Sequence, residues 1–146
     1  MRLPLTGKFI NVNEGVASSS ATPDEAHARL MPVAPRAMYR GEIYEIFVTD
    51  DAGAAPGGTM KRFSLVGHFE VENACFVRTG DVVSVGGKEL GTIVGYNQCK
   101  ALRAPELAVI HLYVRAKKLV TGRDMGLKLG DKVQTKPVER QAPPSR

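Results

Sequence analysis

Over residues 63–71 apolar and polar side chains alternate: Phe63, Leu65, Phe69 and Val71 fall on one face with Gly67, and Ser64, His68 and Glu70 on the other. A period of two is that of a β-strand with one face in a core and the other in water. Residues 106–115 repeat it, with Ala108, Ile110, Leu112 and Val114 opposite Val109, His111, Tyr113 and Arg115. Residues 8–12 and 42–49 are short runs rich in β-branched and aromatic side chains and predict two more strands. Residues 79–96 hold two β-branched runs joined by Gly86-Gly87. A Gly-Gly link tolerates the positive φ of a tight primed turn, so this stretch predicts a hairpin. Residues 128–134 repeat the Gly-Asp-x-Val pattern of residues 80–83 and predict a closing strand.

The connections are short. Residues 50–59 form a Gly/Pro-rich link that is either a lid or contact loop or a disordered connection. Residues 97–105 are too few for a crossover helix. Thr22-Pro23-Asp24-Glu25 is a capping box with Pro at the first helical position; it predicts one short helix, stopped by Pro32 and Pro35, with His27 solvated on its surface. Strands with short links and one minor helix predict an all-β, single-domain antiparallel β-barrel or compact sandwich over residues 1–136. Residues 137–146 are polar and Pro-rich and predict a disordered tail. An unpaired sheet rim would favour a homodimer.

Composition narrows the class. At 146 residues the chain has the length of one domain with its own core. No apolar run approaches the ~18 residues that cross a bilayer, and the N-terminus lacks the apolar centre of a signal peptide, so a cytoplasmic protein is expected. Cys75 and Cys99 are then expected as reduced, buried, small apolar residues, and without a CxxC pair no structural zinc is expected. The net charge of +5 invites a nucleic-acid reading, and basic residues thicken from Arg115 onward. However, aromatics make up 6% with no Trp, and no RNP-like segment occurs, so a solvated basic face is expected rather than a nucleic-acid site.

No Walker loop, GxGxxG, GxSxG or HExxH occurs, which removes phosphate-loop, dinucleotide, serine-hydrolase and zincin chemistry. The histidines remain, because imidazole titrates near neutrality and can be nucleophile, base or ligand. His68 and Glu70, two apart on one strand, project to the same side, and a carboxylate beside an imidazole can fix its tautomer and raise its basicity. They are the candidate catalytic pair. His111, Tyr113 and Arg115 share a face of a second strand and are the candidate binding residues. If the two strands were neighbours, the set would form a patch for an anion or a metal ion, although no metal and no cofactor is expected.

From Phe63 onward the pattern resembles the glucitol/sorbitol-specific enzyme IIA of the bacterial sugar phosphotransferase system. The likeness rests on Phe63-Ser64-Leu65-Val66-Gly67-His68, an apolar strand ending at a histidine, and on Thr79-Gly80-Asp81 as a turn. It continues through a hairpin closing on Val94-Gly95, then Glu106-Leu107-Ala108-Val109, and a last turn at Gly130-Asp131. Ala108-Val109 stands where that family carries Gly-His, and Thr79 where it carries Pro. The resemblance implies a β-barrel in which His68 accepts phosphate from a small phosphocarrier protein and passes it to sugar-transporting subunits. Two alternatives stand beside it. One is a noncatalytic module that binds a protein or an anion with the loop 50–59 and the basic C-terminal face. The other is a small biosynthetic enzyme using His/Glu acid–base chemistry.

Overall fold

A computed structural model describes residues 2–15, 29–100 and 108–138. Nine strands follow in chain order: β1 (Thr6–Val12), β2 (Pro35–Met38), β3 (Ile43–Thr49), β4 (Ser64–Val71), β5 (Cys75–Arg78), β6 (Val82–Val85), β7 (Lys88–Lys100), β8 (Ala108–Arg115) and β9 (Lys132–Lys136). Seven of them close into a barrel in the order β1-β4-β3-β8-β7-β6-β9, with β9 returning to β1. The remaining two, β2 and β5, form a separate antiparallel ribbon. The all-β class is as expected, and of the two architectures predicted the barrel is the one adopted. Closure removes every open edge from the seven-stranded sheet.

The barrel is not wholly antiparallel. β3 and β8 run parallel, with Tyr44 opposite Ile110 and Thr49 opposite Arg115. The long chain between them makes this possible, since parallel neighbours need a crossover that a tight turn cannot supply. The predicted hairpin is β6–β7, and its two turn residues have φ of 56° at Gly86 and 80° at Gly87, the positive values that a primed turn requires. Its second strand is longer than expected. β7 runs on to Lys100, so the connection expected to begin at residue 97 is still strand where it passes Asn97. The capping box and His27 lie outside the described residues. From Arg29 the chain is not helical, and Arg29 bridges Thr59 in antiparallel fashion. Among the described residues there is no helix, and none is long and apolar enough to cross a membrane.

Alternating inward side chains fill the barrel, among them Phe9, Tyr44, Ile46, Phe69, Ile93, Tyr96, Leu112 and Val114. The outward face of β4, β3, β8 and β7 is the departure from the sequence expectation. It was expected to be wet, but a second apolar cluster of Leu30, Phe47, Ala54, Met60, Phe63, Leu65, Val94 and Tyr113 covers it. Residues 50–59 supply part of that cover: Ala54 is buried, and Gly57 donates its N–H to the carbonyl of Leu30 at 3.1 Å. The loop therefore packs as a lid over the sheet.

The strict alternation expected over residues 63–71 is also broken. The β3–β4 register shifts between Ile46, opposite Gly67, and Phe47, opposite Leu65, so Val66 is an inserted bulge residue. Phe63 and Leu65 consequently join the outer cluster while Phe69 and Val71 stay in the barrel. A side chain at Gly67 would strike the carbonyl oxygen of Asn11 on β1, which explains why the smallest residue precedes His68.

Candidate functional site

The registers of β4, β3, β8 and β7 place His68, Glu45, His111 and Asn97 in one transverse row, because Glu45 pairs with both His68 and His111, and His111 pairs with Asn97. Neighbouring strands stand ~4.8 Å apart, so side chains on one face of such a row can touch. All four belong to the outward face, since their strand neighbours Tyr44, Ile46, Phe69, Leu112 and Tyr96 fill the barrel. The next row along the same face is apolar: Leu65, Phe47 and Tyr113. The polar row thus lies beside an apolar row that is itself part of the outer cluster, and the Phe47 and His111 rings are 4.8 Å apart.

Glu45 is the centre of the row. Its side chain is 0% exposed, and its two carboxylate oxygens face one imidazole each. Oε1 accepts from Nε2 of His111 at 2.9 Å, and Oε2 stands 3.4 Å from Nε2 of His68, a longer and weaker arm. Burial pushes the Glu45 carboxyl upward. Hydrogen bonding to His111 and His68 and the attraction of their rings outweigh this and hold it down at about 2. Glu45 is therefore an anion inside the protein, and buried charges persist only when paired.

The carboxylate dictates where the imidazole protons sit. An imidazole nitrogen facing a carboxylate carries hydrogen there, because a lone pair in that position would repel the anion. In the neutral ring of His111 the proton is then on Nε2, which leaves Nδ1 to accept from the hydroxyl of Tyr113 at 3.1 Å. Tyr113 and His111 are both fully buried. The same argument puts hydrogen on Nε2 of His68 and a lone pair on its Nδ1. That nitrogen is buried and has no hydrogen-bond partner among the described residues. The His68 side chain as a whole is 16% exposed, so in the linked set Tyr113–His111–Glu45–His68 it is the member that reaches the surface.

The expected grouping is corrected in three respects. β4 and β8 are not neighbours: β3 lies between them and its Glu45 bridges the two histidines. Glu70 does not serve as the carboxylate of His68; it lies one row further along, in register with Lys8 and Ile43, and its side chain makes no hydrogen bond or ion pair among the described residues. His111 and Tyr113 were expected on a wet face, but both are fully buried, Tyr113 as a member of the outer cluster, while Arg115 lies two rows from His111 and donates from Nη1 to the carbonyl of Ala52 at 2.8 Å.

Glu45 and Asn97 were not anticipated. The signal for Glu45 was present as one carboxylate amid Ile43, Tyr44, Ile46, Phe47 and Val48, a run that only a buried strand would carry. Asn97 donates from Nδ2 to the carbonyl of Arg29 at 3.1 Å, tying the segment after residue 28 to the row. Among the described residues no three His, Cys, Asp or Glu side chains converge so as to hold a metal ion. Cys75 is a free, buried thiol, pushed up to about 11 chiefly by burial, and it stands outside the row.

No curated protein and no solved structure matches the chain. Residues 12–136, which contain the whole polar row and both apolar clusters apart from Leu5 and Phe9, match one family as a unit. The chain belongs to that family, a family of unknown function (DUF6917).

Proposed function

We propose that the chain is a cytoplasmic phosphoryl carrier of the enzyme IIA kind, in which Nδ1 of His68 accepts the phosphoryl group. The observation that supports this reading is the Glu45 carboxylate facing Nε2 of His68, which leaves the nucleophilic lone pair on Nδ1. In the proposed step the Nδ1 lone pair attacks phosphorus while the P–N bond to a phosphohistidine of the donor protein breaks, and the donor nitrogen keeps that electron pair. The imidazole of His68 retains its Nε2 proton and becomes cationic. Glu45 stabilises that cation, and His111 and Tyr113 hold Glu45 in place. Since Nδ1 lies beneath the surface, the ring turns or the cover over it parts when the donor docks.

The donor would be a small phosphocarrier protein and the acceptor a sugar-transporting subunit, as the resemblance of residues 63–68 to the enzyme IIA strand implies. Incubation with phosphoenolpyruvate and the general phosphotransfer proteins is expected to add one acid-labile phosphate, abolished by His68→Ala and retained by Glu70→Ala. Absence of label on the unsubstituted chain, with the donor proteins shown to be active, would overturn the reading.

A further inference from the structure

An open cleft of about 690 Å³ lies at the far end of β8, apart from the polar row. Arg115 is four residues beyond His111, ~13 Å along the strand, and His68 is two strands away again. The floor of the cleft is apolar, formed by Leu90, Ala116, Val120 and Met125, and its rim carries Arg115, Lys117 and Lys118. Close approach of two strands shapes it: a side chain at Gly91 would collide with the carbonyl of Arg115, so β7 and the end of β8 meet there only because that residue is glycine.

The charges on the rim are unbalanced. Asp50 also lines the cleft, but Arg62 holds it in a two-pronged pair, with Nε donating at 3.0 Å. Glu89 is then the acidic side chain left to face three cations among the lining residues. Lys117 and Lys118 are exposed and make no hydrogen bond or ion pair among the described residues. Arg115 is oriented by its bond to Ala52, with further N–H donors left over from a guanidinium that carries five. The volume falls within the ~300–1,000 Å³ usual for small-molecule sites, and an apolar floor with a few convergent charges is the pattern of such sites.

We propose that this cleft binds a small organic anion with an apolar body. The anionic group pairs with Lys117 and Lys118, with Arg115 as a fixed donor, and the body lies against Leu90, Val120 and Met125. The arrangement is independent of phosphoryl transfer at His68, because no residue of the polar row lines the cleft.

The test is a fluorescence titration of the full chain with anilinonaphthalenesulfonate, a sulfonate on an apolar body, beside the uncharged N-phenylnaphthylamine. The sulfonate is expected to bind saturably at one site, about tenfold more tightly than the neutral probe. The double variant Lys117→Glu/Lys118→Glu should abolish that preference, and added salt should weaken it. Amide shifts of the unsubstituted chain should move at Gly91 and over residues 115–118. His68→Ala should bind the probe unchanged, which separates this site from the carrier function. Equal binding of the two probes, binding indifferent to the charge reversal, shifts confined to other residues, or no saturable binding would each overturn the proposal. The amide map does not depend on any variant folding.

Discussion

Glu45→Ala is expected to lower stability by about 3 kcal/mol in urea unfolding, whereas Glu70→Ala should change it by about 0.5 kcal/mol or less. The two carboxylates are alike in sequence, each in a strand that carries or adjoins His68, but opposite in setting. Glu45 is fully buried and faces two imidazoles; Glu70 is partly exposed and carries no such pairs. Removing Glu45 leaves the buried Nε2–H of His111 without its acceptor and opens a cavity where a fully buried side chain stood. The cost sits at the low end of the ~3–5 kcal/mol seen when one partner of a buried ion pair is removed, because imidazoles can shed their charge where a lysine or arginine could not. Similar losses from the two variants would mean that Glu45 is not the hub of the row.

Acid is expected to remove a comparable amount of stability through the same residue. Glu45 is held down at about 2, below the 4.5 ordinary for the group, first against the upward push of burial and then by its hydrogen bonds to His111 and His68. A carboxyl depressed in the folded state favours folding wherever the unfolded chain would bind more protons. Its contribution is therefore complete above the unfolded value and declines as pH falls from about 5 towards 2. At ~1.4 kcal/mol per pH unit of displacement the loss is on the order of 3 kcal/mol. Unfolding free energies measured across that window should fall steeply for the unsubstituted chain and more shallowly for Glu45→Gln, which keeps the shape of the side chain but cannot ionise. Parallel pH curves for the two proteins would remove Glu45 from this role.

Much of the barrel was legible in the sequence, since the period-two run that becomes β8, the alternation of residues 63–71 on either side of its bulge, and the Gly86-Gly87 turn are local signals that the closed sheet keeps. The burial of both faces was not legible. Residues 106–115 alternate whether the second face meets water or another apolar layer, and the layer here comes from residues distant in sequence, such as Leu30, Ala54 and Met60. The Val66 bulge was invisible for the same reason: it is defined by the register against β3, not by its own neighbours. The histidines were singled out, but their partnership depended on β3 lying between β4 and β8, a parallel crossover that no local pattern announces. With that topology unknown, Glu70 was the nearest carboxylate in the chain and Glu45 the nearest in space. Glu45 was discoverable, because a carboxylate within so apolar a run must find a partner or forfeit several kcal/mol on burial.

The central claim, that Glu45 bridges two histidines and fixes the proton of each on the nitrogen facing it, is tested most directly by long-range nitrogen–proton NMR correlation of the imidazole rings. In their neutral form both His68 and His111 should show the pattern of a ring protonated on Nε2, with Nδ1 bearing a lone pair. A ring of His68 protonated on Nδ1, or rapidly averaged between the two tautomers as a solvated histidine is, would contradict the account.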